Sequence, residues 1–305
     1  MNSFNIKRFG QTLRWVLSVN FRKMMLWFTG SVLAVFLGEI LFQEMNSYNS
    51  NPGSMLRNFS QFLTLILIVV SLIMVSSIVS SINEKRKREA FLMLPSSNSE
   101  KYISLVIYST VICIVAAFIA IVLGDSLRMF AYWATDYQGM PYKDGSYCYS
   151  TYDEFVGGQV CWWSSAIPRL INELTPTIVH HGYANYPKVF YYYQAAFIYG
   201  GILWIHSVYT LGGTLFRKYS FVGTSIIMML TITLVVRLVV VCDLTLFHSQ
   251  WENGELQSYE IGVVGWIIAI AFPIVSVLNY WASFHIFKRF QLITNKWFNY
   301  DFYKR

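Results

Sequence analysis

The chain has few charged residues and lacks the common nucleotide-binding and hydrolase signatures. Charged side chains make up 13% of its 305 residues, about half the share found in soluble domains. The phosphate-cradling pattern G-x-x-x-x-G-K-[ST] is absent, as are H-E-x-x-H and G-x-S-x-G. We therefore expect no enzyme active site, no cofactor and no metal in this chain.

Apolar residues take the place of the missing charge. The chain is 55% hydrophobic and 18% aromatic, and about 20 apolar residues suffice to cross a bilayer core. Hydropathy predicts an all-α polytopic membrane protein with six transmembrane helices. The predicted spans cover residues 24–43, 62–82, 102–123, 189–216, 221–242 and 261–287.

The basic residues predict the orientation. Outside the spans, seventeen lysines and arginines lie on the side of the termini and five on the other side. Because positive charges are retained in the cytoplasm during insertion, we expect both termini there, including the tail 288–305, in the inner (plasma) membrane. This topology explains the net charge of +7 without a nucleic-acid partner.

The N-terminal segment 1–23 has the pattern of an amphipathic helix on the inner membrane surface. Lys7, Gln11, Arg14, Ser18 and Arg22 recur at intervals of three and four residues. Such a basic face suits anionic lipid headgroups. Packing on a soluble partner is the alternative.

The segment 124–188 is a long extracytoplasmic loop in this topology, and "CWWSSAIPRLINEL" within it predicts a short amphipathic helix. The loop holds Cys148 and Cys161, which lie in an oxidising compartment if the orientation is right. The sequence leaves open whether they form a disulfide. Adjacent histidines at 180 and 181 lack the neighbouring ligands that a metal site needs.

Two ionisable residues fall inside predicted spans. Glu39 and Arg237 both lie about 22 to 24 Å from the inner ends of their spans, at 1.5 Å per residue. Charges in lipid are usually paired or face water, so we expect them to form an intramembrane polar pair or to line a polar pathway. Separate snorkelling to the outer headgroups is the alternative.

The loop 83–101 carries the densest charge of the chain. "NEKRKREAF" predicts a short charged helix that is broken at Pro95. Ser97 and Glu100 then form an S-x-x-E capping box, so the helix of the third span is expected to begin near Asn98. We call this segment, residues 84–101, the elbow. A plain positive anchor is the alternative reading.

The order of these parts resembles the permease subunit of ABC-2 type transporters, with helices in 24–123 and 189–287. The resemblance rests on Glu-Lys-Arg, an apolar run, "LP" and a Ser/Asn cap in the first inner loop. It implies an ABC exporter with a second permease subunit, as homo- or heterodimer, and a separate ATPase that binds ATP and Mg. It also implies that the elbow contacts the ATPase. The residues implied in this coupling are Glu84, Lys85, Arg86, Glu89, Phe91, Leu92 and Leu94.

Two other functions stay open. A non-transporting receptor or signalling partner would sense a ligand through the outer loop. An intramembrane enzyme would need clustered ionisable groups, whereas only two fall inside the spans. The tetrapeptide "GDSL" at 124–127 resembles an esterase motif, but it ends a predicted transmembrane helix, which argues against catalysis at Ser126. His206 is expected to make an interhelical hydrogen bond.

Overall fold

A computed structural model describes residues 4–46, 52–79, 82, 84–135, 148–151, 158–161, 164–174, 188–216, 218–242, 247–252 and 255–289. Six of its helical segments are long and apolar enough to cross a membrane. The prediction of an all-α polytopic membrane protein is thus confirmed. The chain divides into two compact units: unit 1 comprises Met1–Leu17, Leu72–Ser109 and Ile178–Arg305, and unit 2 comprises Ser18–Ser71 and Thr110–Thr177.

The described elements follow one another along the chain as helices interrupted by two small hairpins. The helices are α1 (Ile6–Asn46), α2 (Pro52–Ser76), α3 (Lys85–Leu92), α4 (Asn98–Ile107), α5 (Cys113–Ala134), α6 (Ile167–Leu174), α7 (Lys188–Leu215), α8 (Ser220–Val241) and α9 (Val263–Lys288). A π-helical turn, Tyr108–Ile112, joins α4 to α5. The strands are β1 (Cys148–Thr151), β2 (Gly158–Cys161), β3 (Phe247–Glu252) and β4 (Glu255–Ile261).

The interfacial helix predicted for residues 1–23 is not a separate element. Helix α1 runs unbroken for 41 residues, from Ile6 to Asn46. The stretch around residue 23 holds neither proline nor glycine, and its Arg, Lys, Met and Leu residues favour helix. The change from amphipathic to apolar pattern therefore marks a change of surroundings along one helix, not a helix end.

Two antiparallel hairpins lie in segments that the sequence analysis treated as loops. Strand β1 pairs with β2, and β3 pairs with β4. Between β3 and β4 the sequence reads Asn253-Gly254, a dipeptide that favours two-residue hairpin turns. The second hairpin could therefore have been predicted from this dipeptide, although the hydropathy pattern alone does not indicate it.

Unit 1 has a core beside the elbow. Its buried residues come from α1, the turn after α2, the elbow, α4 and α9, and they include Val16, Ile78, Phe91, Leu105 and Phe287. The backbone of α7 also approaches the end of α2 closely. A Cβ on Gly213 of α7 would lie only 2.6 Å from the Ser76 carbonyl oxygen. Glycine at this position lets α7 pack against the end of α2.

Unit 2 has its own core, formed by α1, α2, α5 and α6. Val35, Leu63 and Ile121 contribute from the long helices, and Ala166 and Leu170 contribute from the start of α6. The short amphipathic helix predicted within residues 124–188 is confirmed as α6. Its apolar face is buried in this core, as its pattern indicated.

Candidate functional site

The elbow consists of a two-turn helix and a capped helix start. Helix α3 is eight residues long, and its Lys, Arg, Glu, Ala and Leu residues are good helix formers. It ends at Leu92, with Met93 as its C-cap, three residues before Pro95. Helix α4 begins at Asn98 with the capping box between Ser97 and Glu100. The predicted helix, break and cap are therefore confirmed.

Phe91 anchors the inner face of α3 to unit 1. Its side chain is fully buried, with ring centroids 5.7 Å from Trp15 and 6.5 Å from Phe287. The ring contacts of Phe91 thus lie within the chain, and its role in coupling to a partner protein stays a prediction.

Lys101 closes the end of α3. Its ammonium donates a 2.8 Å hydrogen bond to the Leu92 carbonyl and lies 5.9 Å from the Phe91 ring centroid. The last carbonyls of a helix lack intrahelical donors, and a cation near them is favourable. Lys101, which is itself buried, thus fastens α3 to α4.

A buried carboxylate joins the elbow to the start of α1. Glu100 Oε1 accepts hydrogen bonds from the Asn5 amide at 2.8 Å and from the Arg8 guanidinium at 3.1 Å. Its Oε2 accepts from the Ser97 amide at 2.8 Å. The side chain of Glu100 is fully buried, whereas that of Arg8 is partly exposed. Glu100 thus holds two chain segments together in addition to capping α4.

The outer face of α3 is accessible and charged. Glu84, whose side chain is 70% exposed, pairs with Lys87 at 2.9 Å. Arg86 is exposed, and Met93 is 85% exposed directly after the helix. An exposed methionine among charged residues forms a small apolar contact point. Arg86 and Met93 are seven positions apart and so lie on one side of α3, and we call them the outer face of the elbow.

The remaining elbow residues singled out by the resemblance are distributed between the two faces. Glu89 and Leu92 are half-buried, and Leu94 packs against the core of unit 1. The side chain of Lys85 lies outside the described residues. Met93 is not among the residues that the sequence predicted for coupling, although a large apolar residue between a charged helix and a proline is a usable signal.

Tyr102 connects the elbow to a polar seam between α7 and α9. Its hydroxyl donates to Ser283 Oγ at 2.9 Å, and Ser283 Oγ lies 3.1 Å from Thr214 Oγ1. Farther along the seam, Asn279 donates to Ser207 at 3.0 Å. His206 Nδ1 is 2.5 Å from the Tyr280 hydroxyl, which confirms the expected interhelical hydrogen bond. Such contacts hold helices together in a membrane.

A second buried polar network lies in unit 2, at the end of α5. Arg128 and Asp125, both 1% exposed, pair at 2.7 Å. Arg128 also donates to the Ser164 carbonyl at 2.7 Å, and Ser165 donates to Asp125 Oδ2 at 2.5 Å. The network fastens the start of α6 to α5. Asp125 belongs to the "GDSL" tetrapeptide, whose Ser126 hydroxyl donates to the Val122 carbonyl within the helix.

The other predicted site residues are only partly described. Arg237 is exposed near the end of α8, and the side chain of Glu39 lies outside the described residues, so their pairing stays a prediction. Cys161 is disulfide-bonded and faces Cys148 across the β1–β2 hairpin. Histidines 180 and 181 also lie outside the described residues. Among the described residues, no three His, Cys, Asp or Glu side chains form a cluster that would hold a metal ion.

Comparison with known proteins identifies no relative of this chain. No family model matches it, and neither a curated protein nor a solved structure matches it significantly.

Proposed function

We propose that this chain is the transmembrane permease subunit of an ABC exporter, which moves an unidentified substrate across the inner membrane. The ATP and Mg would be bound by a separate ATPase subunit, and a second permease subunit, identical or different, would complete the transporter. In this proposal both termini and the elbow lie in the cytoplasm, where the ATPase is.

The main support for the proposal is that one side of α3 is buried within the chain and the other side is exposed. One side is fixed by Phe91, which is fully buried, and by Lys101. The other side presents exposed charges and the 85% exposed Met93. An element that transmits a rigid-body movement must be firmly attached on one side and accessible on the other. Methionine and arginine are also enriched in protein interfaces.

The attachment of the elbow to further helices supports the same function. Tyr102, in the second turn of α4, is hydrogen-bonded to Ser283 of α9, and Ser283 in turn contacts Thr214 of α7. A displacement of the elbow would therefore act directly on two membrane-spanning helices. A simple connecting loop would not need such buried links.

Copurification from native membranes tests the partner. The tagged full-length chain is solubilised, and associated proteins are quantified by mass spectrometry. We expect a protein with the G-x-x-x-x-G-K-[ST] motif to copurify, and we expect its recovery to fall in the variant Arg86→Glu/Met93→Asp. Lys218→Glu, a charge reversal at an exposed residue of the α7–α8 turn, is the matched control. If no such ATPase appears, or if both variants retain it equally, the proposal fails.

Cysteine labelling tests the orientation separately. A cysteine at Arg86 is introduced after Cys113 and Cys242, the free cysteines of the described residues, are replaced by serine. A membrane-impermeant maleimide should label it in opened cells and not in intact cells. Labelling in intact cells would place the elbow outside and remove it from any cytoplasmic ATPase.

A further inference from the structure

Unit 2 contains an apolar cavity with a volume of about 180 Å³ between α1, α2 and α5. Phe59 and Leu63 form its buried wall. Phe62 also lines it and is 44% exposed, so the cavity reaches the surface of the unit there. A cavity of this size is larger than the engineered apolar cavity that takes up benzene.

The lining excludes polar ligands. Among the described residues that line the cavity, the polar side chain is that of Ser31, and its hydroxyl already donates to the Trp27 carbonyl at 2.7 Å. A buried water needs two to four polar partners, and the side chains of this wall offer one hydroxyl, which can still accept a hydrogen bond but no longer donate one. The cavity therefore suits a hydrocarbon group.

Small residues on α1 create the space. Ser31, Ala34 and Gly38 line the cavity at intervals of three and four residues, so they follow one face of the helix. A Cβ added at Gly38 would meet no atom within 4 Å. On α2 the lining extends from Phe59 to Val70, about 16 Å along the helix axis. An elongated space of this kind fits an extended alkyl chain.

A positively charged side chain lies on α1, N-terminal to the residues of α1 that line the cavity. Lys23, Trp27 and Ser31 follow one another at four-residue intervals, which places them on one face. Lys23 is exposed and about 12 Å from Ser31 along the axis, with the exposed Arg22 beside it. No acidic residue occurs in α1 before Glu39. Lys23 and Arg22 thus place positive charge beyond the Ser31 end of the cavity, and the exposed Arg57 lies two residues before Phe59 on α2.

We propose that this face of unit 2 binds an anionic phospholipid of the surrounding bilayer. Its phosphate lies at Lys23 and Arg22, and one of its acyl chains occupies the cavity beside Ser31, Ala34 and Gly38. The charge at one end and the hydrocarbon wall beyond it match the two parts of such a lipid. The site is independent of the proposed transport function, since it requires only the bilayer.

Photo-crosslinking of the unmodified full-length protein gives the first test. The protein is reconstituted in nanodiscs with phosphatidylglycerol that carries a photoactivatable acyl chain, and the adducts are mapped by mass spectrometry. We expect adducts in residues 31–38 of α1 and 59–70 of α2. Adducts spread evenly over the exposed helices would overturn the proposal. A protein dimer crosslinked through these segments would identify a second copy as the occupant and would overturn it as well.

Native mass spectrometry of variants gives the second test. Gly38→Leu fills the cavity and should reduce retained phosphatidylglycerol about tenfold, because the displaced acyl segment loses its apolar contacts. Gly30→Leu is the matched control, since Gly30 also has open space around it but does not line the cavity. Equal losses in both variants, or none in Gly38→Leu, would contradict the proposal.

The charge at Lys23 is tested with the same readout. Lys23→Gln should remove the preference for phosphatidylglycerol over phosphatidylcholine and leave uncharged lipid bound. Lys7→Gln, which removes an exposed charge sixteen positions earlier in α1, should keep the preference. If Lys23→Gln leaves the preference intact, the headgroup part of the proposal is wrong.

Discussion

The Glu100 carboxylate accepts a hydrogen bond from the Arg8 guanidinium at 3.1 Å, although 92 positions separate the two residues. The same oxygen accepts a hydrogen bond from the backbone amide of Asn5. These two hydrogen bonds hold the start of α1 against the capped start of α4, so the N-terminal segment is fixed to the elbow.

We expect Arg8→Gln and Glu100→Gln each to lower the thermal stability of the solubilised protein. Arg8→Gln leaves the buried Glu100 carboxylate without its charged partner, and Glu100→Gln removes the negative charge that the partly exposed Arg8 contacts. The double variant should lose less than the sum of the single losses, as coupled residues do. Strictly additive losses would show that the two side chains do not interact in the membrane.

Phe91 and Met93 should respond differently to truncation. Phe91→Ala removes a fully buried ring and should destabilise the elbow by about 3 to 5 kcal/mol. Met93→Ala removes an exposed side chain and should change stability by no more than about 0.5 kcal/mol. Hydrogen exchange of the α3 amides measures this difference. Equal protection of α3 in the two variants would contradict the buried position of Phe91.

The link through Tyr102 can be broken without a change in size. Tyr102→Phe removes the hydrogen bond to Ser283 and should cost about 0.5 to 1.5 kcal/mol. If the chain is the proposed permease, the change should also reduce transport-coupled ATP hydrolysis, because the hydrogen-bonded link from α4 to α9 is lost. The matched control is Tyr209→Phe, which removes the hydrogen bond to Ser225 of α8. If the two variants lose coupling to the same extent, the link has no special role.

Gly213→Ala should disturb the packing of α7. The added Cβ would lie 2.6 Å from the Ser76 carbonyl oxygen, and backbone on both sides must then shift. Gly201→Ala offers a control on the same helix, because its Cβ would meet the Phe272 ring at an ordinary 3.6 Å. Thermal unfolding should show a clear loss for Gly213→Ala and little change for Gly201→Ala. Similar melting temperatures would argue against close contact between α7 and the end of α2.

Local patterns predicted the local structure well. The Ser97–Glu100 capping box lies within one helix turn, and its signal is complete in four residues. The apolar runs likewise predicted the six membrane-spanning helices, since length and composition suffice for that purpose.

Contacts between distant parts of the chain could not be predicted in the same way. The direction of Phe91 depends on Trp15 and Phe287, which are far from it in sequence. A short charged helix has no pattern that distinguishes an inner from an outer face until these neighbours are known. The Asp125–Arg128 ion pair, in contrast, could have been predicted from the sequence, because residues three apart on a helix are neighbours.

A photo-crosslinking amino acid at position 93, used in native membranes, tests whether the outer face of the elbow binds a separate ATPase. We expect one main adduct, with a protein that contains G-x-x-x-x-G-K-[ST]. The same probe at Val222, an exposed residue of α8, should not yield this adduct. An adduct with a protein that lacks the motif, or none at position 93, would show that the outer face of the elbow does not bind an ATPase.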